Sequence, residues 1–193
     1  MYIVLPSKCP MQDKIASILC LKTPVFSNYK IKSSKISRMN LNERNEISMR
    51  KVKVAATQMS CTWDTDHNIA KAEELVREAA DQGANIILLQ EFFETPYFCQ
   101  KEKPHYYGLS TETEKNKAIM HFKSIAKELN VVLPISFYEK KNNARYNSLA
   151  VIDATGEVLG VYRKSHIPDG PGYEEKYYFN PGDTGFQVWD TEY

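Results

Sequence analysis

Three short segments of this 193-residue chain place charges where an α/β protein could gather ligands. Glu91 follows directly on Ile86-Ile87-Leu88-Leu89-Gln90 and precedes Phe92-Phe93. A carboxylate set among apolar residues is costly to bury without a partner. The carboxyl ends of strands in an α/β sheet are also where binding sites form. Lys164 holds the mirrored place, after Glu157 to Tyr162, in Tyr162-Arg163-Lys164-Ser165-His166. Glu174 and Glu175 lie among Tyr173, Tyr177, Tyr178 and Phe179, and charges threaded among aromatics suggest one wall of a pocket. Carboxylates and an ammonium round one cleft could transfer protons and balance charge. Taken singly, each position fits a solvated strand end or loop equally well.

The other reactive residues point to less. Cys9, Cys20, Cys61 and Cys99 form no CxxC pair and no zinc-finger spacing with histidine. They read as free thiols in a reducing compartment, which places the protein in the cytoplasm, and each singly as a small buried hydrophobe. His67, His105, His121 and His166 are widely spaced and make neither HxH nor HExxH, so a metal hydrolase is disfavoured. His121 reads as a surface or satisfied core histidine. The connection from Ser60 to His67 contains no glycine, against a dinucleotide-binding unit.

The elements that must position these residues begin at Val52. Val52, Val54 and Ala56 alternate with Lys53 and Ala55, which predicts a strand near 52–59. Asp64, Thr65 and Asp66 offer caps for a helix near 66–82, with Ile69, Ala72, Leu75, Val76 and Ala79 on one stripe and Gly83 closing it. The unbroken run from Ile86 predicts a strand near 86–90 covered on both faces. This β-α-β pattern implies parallel neighbours with a right-handed crossover. A second helix is expected near 116–129, carrying Ile119, Phe122, Ile125, Ala126 and Leu129. Strands are expected near 131–137, with Pro134 as a blemish, and near 146–153 and 157–163 around the turn Asp153-Ala154-Thr155-Gly156. From Ser165 to Gly185 runs a loop of about twenty residues, a length that usually signals function. A last strand is expected to start at Phe186-Gln187-Val188-Trp189. Its unpaired edge makes the chain read as cut short.

Composition bounds the rest. Apolar residues are 42% and charged residues 25%, ordinary for one globular domain, and the net charge of +1 gives no reason to expect a nucleic-acid partner. No apolar run approaches the roughly 18–20 residues of a membrane span. Residues 1–48 differ: they hold eight Lys and Arg against Asp13, Glu43 and Glu46, and glycine first occurs at Gly83. With Met49-Arg50-Lys51 just before the first strand, residues 1–48 are expected to be a disordered or non-native extension of a domain over 49–193. A transit peptide and an ordered extension are the alternatives.

Three strings together resemble the nitrilase, or carbon–nitrogen hydrolase, superfamily: Leu88-Leu89-Gln90-Glu91-Phe92-Phe93, Tyr162-Arg163-Lys164-Ser165-His166-Ile167-Pro168, and Tyr173-Glu174-Glu175-Lys176-Tyr177-Tyr178-Phe179-Asn180-Pro181-Gly182-Asp183. Phe98-Cys99-Gln100 and His166 to Tyr173 resemble its N-carbamoylputrescine amidase branch. The resemblance runs from about Lys51 to Tyr193. It implies the N-terminal part of a four-layer α/β/β/α sandwich. It implies hydrolysis of amide or carbamoyl substrates without metal or cofactor, with a small carbamoylated amine as partner and homo-oligomers for full-length members. Of the family's Glu-Lys-Cys triad it assigns Glu91 as general base and Lys164 as the lysine, with Glu175 helping to position substrate and nucleophile. The nucleophilic cysteine lies in the family just beyond the Gly185 to Trp189 segment. Cys61 and Cys99 do not match it, so this chain is expected to be inactive by itself. A catalytically dead binding partner, or an amidase or ureidopropionase-type hydrolase, are the competing readings.

Overall fold

The computed structural model describes residues 51–193, so the expectation for residues 1–48 lies outside the described residues. β1 (Val54–Ala56) pairs in parallel with β2 (Ile86–Leu88), Val54 opposite Ile86. Between them runs α1 (Thr65–Asp81), opened by Asp64, whose carboxylate accepts from the His67 N–H at 3.0 Å. Gly83, with φ at 82°, turns the chain out of that helix in the left-handed region that glycine tolerates. α2 (Lys117–Leu129) is capped by Asn116, which accepts from the Ile119 N–H at 2.8 Å, and ends on left-handed Asn130.

A meander of β3 (Leu133–Lys141), β4 (Ala144–Ile152) and β5 (Val158–Arg163) follows, antiparallel throughout. It joins β2 through Val132, which donates to Asn85 O at 2.8 Å and accepts from Ile87 N at 3.0 Å. The next rung would need an N–H at residue 134, and Pro134 has none, so the parallel pairing stops there.

Both helices lie on one face of this sheet. Ile69, Ala72 and Val76 of α1 and Ile119, Phe122 and Ile125 of α2 share one core with Ile87, Leu133, Ile135, Phe137, Ala150 and Ile152. Strand alternation sends the intervening side chains to the other face. Among the described residues β2 is therefore packed on one face and not, as the apolar run suggested, on both: Ile87 is buried while Leu88 is 46% exposed.

Two further expectations change. The long loop after β5 contains a one-turn helix, α3 (Glu175–Tyr178). No strand forms at 186–189. Phe186 and Val188 stand exposed, and the segment bonds no ladder. It is held instead by side chains: the Arg163 N–H donates to Thr184 Oγ1, the Glu192 N–H donates to Asp153, and the Trp189 indole lies where a side chain on Gly160 would project. Among the described residues no helix is long and apolar enough to cross a membrane.

Candidate active site

Glu91 leaves the end of β2 at a fixed point. The residue before it, Gln90, accepts the Met59 N–H through its side chain. The residue after it, Phe92, takes a left-handed conformation with φ at 54° and donates its N–H to Ser136 Oγ at 3.2 Å. A left-handed turn costs a non-glycine residue roughly 1–2 kcal/mol, and such strain gathers at functional sites. The Phe92 ring offsets it by burial against Phe98 and Phe179, in a second cluster that also holds Cys99, Tyr138, Ile167 and Tyr178.

Lys164 is aimed by the strand that precedes it. Its main-chain N–H donates to Asn147 O at 2.8 Å, continuing the pairing of β5 with β4. Its ammonium lies 2.9 Å from Glu175 Oε2 and 3.4 Å from Glu91 Oε1. Glu91 and Lys164, 73 residues apart, thus open into one place. Glu175 is buried at the start of α3, and the Tyr97 hydroxyl donates to its other oxygen at 2.8 Å. Asn147 donates through Nδ2 to Glu91 Oε1 at 2.6 Å. Glu174 stays outside this cluster; its N–H donates to Cys99 O at 2.7 Å.

The electrostatics follow from two carboxylates sharing one ammonium. Burial pulls the Lys164 ammonium down, but the Glu175 hydrogen bond and the Glu91 charge outweigh it, so its pKa is raised and the cation is firmly kept. Burial, aided by Glu175, pushes the Tyr97 hydroxyl up, so it remains a donor. Burial and the charges of Glu175 and Glu91 push the Cys99 thiol up, against a smaller pull from Lys164. Burial likewise raises Cys61, whose sulfur accepts from Gln90 Nε2 at 3.2 Å. Only a thiolate attacks, and both described thiols are held as thiols.

Asn147 and Tyr97 were not among the residues the sequence singled out. A lone amide beside the apolar run Leu149 to Ile152 was a signal for the first; Tyr97 carried none. Among the described residues no group of His, Cys, Asp and Glu could hold a metal ion. His121 pairs with Glu73 at 2.6 Å, joining α2 to α1 away from any such cluster.

Comparison with known proteins matches this chain over residues 53–193 to the carbon–nitrogen hydrolase family. An N-carbamoylputrescine amidase of Solanum lycopersicum is 58% identical over 144 residues, 75% of this chain and 48% of that protein. A citrullinase of Francisella tularensis is 48% identical over 145 residues, 75% of this chain and 51% of that protein. The chain spans about half the length of the curated relatives it matches. The crystal structure of a carbon–nitrogen hydrolase from Helicobacter pylori superposes with a TM-score of 0.65 at 35% identity, over 70% of this chain and 46% of that one. With the match extending across the whole described sheet and all three charged residues of the cleft, the chain belongs to the carbon–nitrogen hydrolase family.

Proposed function

We propose that this chain supplies the base and the cation of a hydrolase that cleaves ureido groups, R–NH–CO–NH2, with N-carbamoylputrescine as the preferred substrate. The observation that carries this is the Glu91–Lys164–Glu175 cluster, one ammonium held between a carboxylate at a strand end and a buried carboxylate at the start of α3. The names of the tomato and Francisella relatives both point to a ureido group.

In this reading Glu91 accepts the proton of an attacking thiol. The thiolate adds to the carbamoyl carbon, and Lys164 stabilises the negative charge that grows on its oxygen. Glu91 returns the proton to departing ammonia, then draws one from the water that hydrolyses the acyl-enzyme. The released carbamate falls to carbon dioxide and the amine, so one water in all is consumed. Glu175, held by Tyr97, keeps Lys164 aimed. In this reading neither described cysteine supplies that thiol: neither hydrogen-bonds Glu91, Cys99 is fully buried among Phe92, Phe98 and Tyr178, and the Cys61 sulfur accepts from Gln90. With no thiol among the described residues placed to attack, this reading expects no turnover from the chain by itself. Residues 1–48 lie outside the catalytic domain, in keeping with a family match that starts at residue 53. The free thiols suit the cytoplasm.

The test joins residues 49–193 to the part of the tomato relative that this chain does not match, and measures ammonia release from N-carbamoylputrescine. The chimaera should be active and the 193-residue chain silent. Glu91→Gln or Lys164→Ala in the chimaera should cost on the order of a thousandfold or more, because such residues act as a unit. Robust turnover by the chain alone would place the nucleophile among its own residues and end this mechanism.

A further inference from the structure

We propose that Asn147 is a positioning residue: it holds Glu91 by one carboxylate oxygen and so leaves the other, Oε2, to take the proton. This rests on the reading of Glu91 as base. Asn147 sits in β4 on the face turned away from the helices and is itself buried. Its side chain donates to Glu91 Oε1 at 2.6 Å, and the Lys164 ammonium lies 3.4 Å from that same oxygen. Among the described residues Oε2 takes no hydrogen bond, and the Glu91 side chain is half exposed. Donors on Oε1 stabilise negative charge there, which makes the unbonded oxygen the site of protonation.

An amide suits this task. It is neutral, so it adds no charge beside the base. It donates strongly to a carboxylate and still, more weakly, to the carbonyl oxygen of a protonated carboxyl, so Glu91 keeps its orientation when the proton arrives at Oε2 and when it leaves. The same residue fixes the cation: the Asn147 main-chain carbonyl accepts the Lys164 N–H at 2.8 Å. One residue in a central strand thus ties base and ammonium into a single register, a preorganisation that loop residues alone would not secure.

The test is NMR on the full 193-residue chain, which needs no turnover. The Asn147 side-chain amide resonances should follow a carboxyl titration in the wild-type chain and lie flat in Glu91→Gln. In Asn147→Ala, the Glu91 side-chain couplings should change from those of one rotamer to an average. Asn147 resonances indifferent to Glu91, or a Glu91 that keeps one rotamer without Asn147, would overturn the proposal. The first measurement leaves Asn147 in place and decides the question even if Asn147→Ala does not fold. A silent chimaera with the coupling intact would sink Glu91 as base and this role with it. An active chimaera with the coupling absent would sink this inference alone.

Discussion

Arg163 and Lys164 are neighbours in sequence that engage partners on opposite faces of the sheet: the Arg163 guanidinium lies 2.6 Å from Glu139 Oε1, and the Lys164 ammonium 2.9 Å from Glu175 Oε2. Strand alternation requires the split. The end of β5 is thereby pinned from behind by one cation while it presents the other to the cleft. Glu139 is fully buried and accepts from Ser148 Oγ as well as from Arg163.

Glu139→Ala removes a buried anion and leaves Arg163 with Asp183 as its one remaining carboxylate among the described residues. Breaking a buried pair from one side costs about 3–5 kcal/mol. Urea unfolding should show a loss of that size, and a loss far smaller would mean that Asp183 alone suffices to hold Arg163.

Lys164→Met tests the other face. The folded pKa of Lys164 is raised above its ordinary value of 10.5. A raised cation contributes stability that is full below the unfolded value and is lost as pH rises through the folded one. At neutral pH the substitution should cost about 1.5–3 kcal/mol, the worth of hydrogen bonds to charged groups. At this chain length that is a drop of about 2–4 °C in Tm for each kcal/mol. The gap between wild type and variant should close as melts are taken above pH 10.5. A gap constant with pH would show that Lys164 contributes through its methylene stem alone.

Much of the frame was legible because periodicity reports it directly. α1 and α2 begin and end within a residue of where their apolar stripes and caps placed them. The covering of β2 was not legible, since a continuous apolar run looks the same whether one face or two are packed, and only the placement of α1 and α2 on one side decides it. The segment at 186–189 alternates like a strand, but a strand is a pairing, and among the described residues no partner edge meets it. In the cleft, charged residues at strand ends were visible one by one. Their company was not: Asn147 meets Glu91 across 56 residues and Tyr97 meets Glu175 across 78, separations that no local pattern encodes.

Gly182, four residues beyond α3, packs the loop back against the end of β5. Its N–H donates to Lys164 O at 2.9 Å, and a Cβ there would collide with the Arg163 carbonyl. A backbone carbonyl in a sheet cannot step aside as a side-chain tip can, so Gly182→Ala should cost about 1–3 kcal/mol or more. Gly108→Ala is the control, since nothing lies within 4 Å of the added methyl. Equal thermal melts for the two variants would show that the loop moves freely against β5.

Cys99 provides the last test, because it decides whether the cleft already holds a nucleophile. The thiol is fully buried, packed with Phe92, Phe98 and Tyr178, and two nearby carboxylate charges add to burial in holding its proton. An activated nucleophile shows the opposite signature, a lowered pKa and access to reagent. Iodoacetamide applied to the native chain near neutral pH should therefore leave Cys99 unmodified over a time in which the denatured chain is alkylated there completely, as read by peptide mass mapping. Lys164→Met should not speed the reaction, since Lys164 is what pulls the thiol down and its loss leaves the carboxylates unopposed. Rapid native alkylation of Cys99, slowed by Lys164→Met, would mark it as a thiolate paired with the ammonium, and the catalytic thiol would then lie inside this chain.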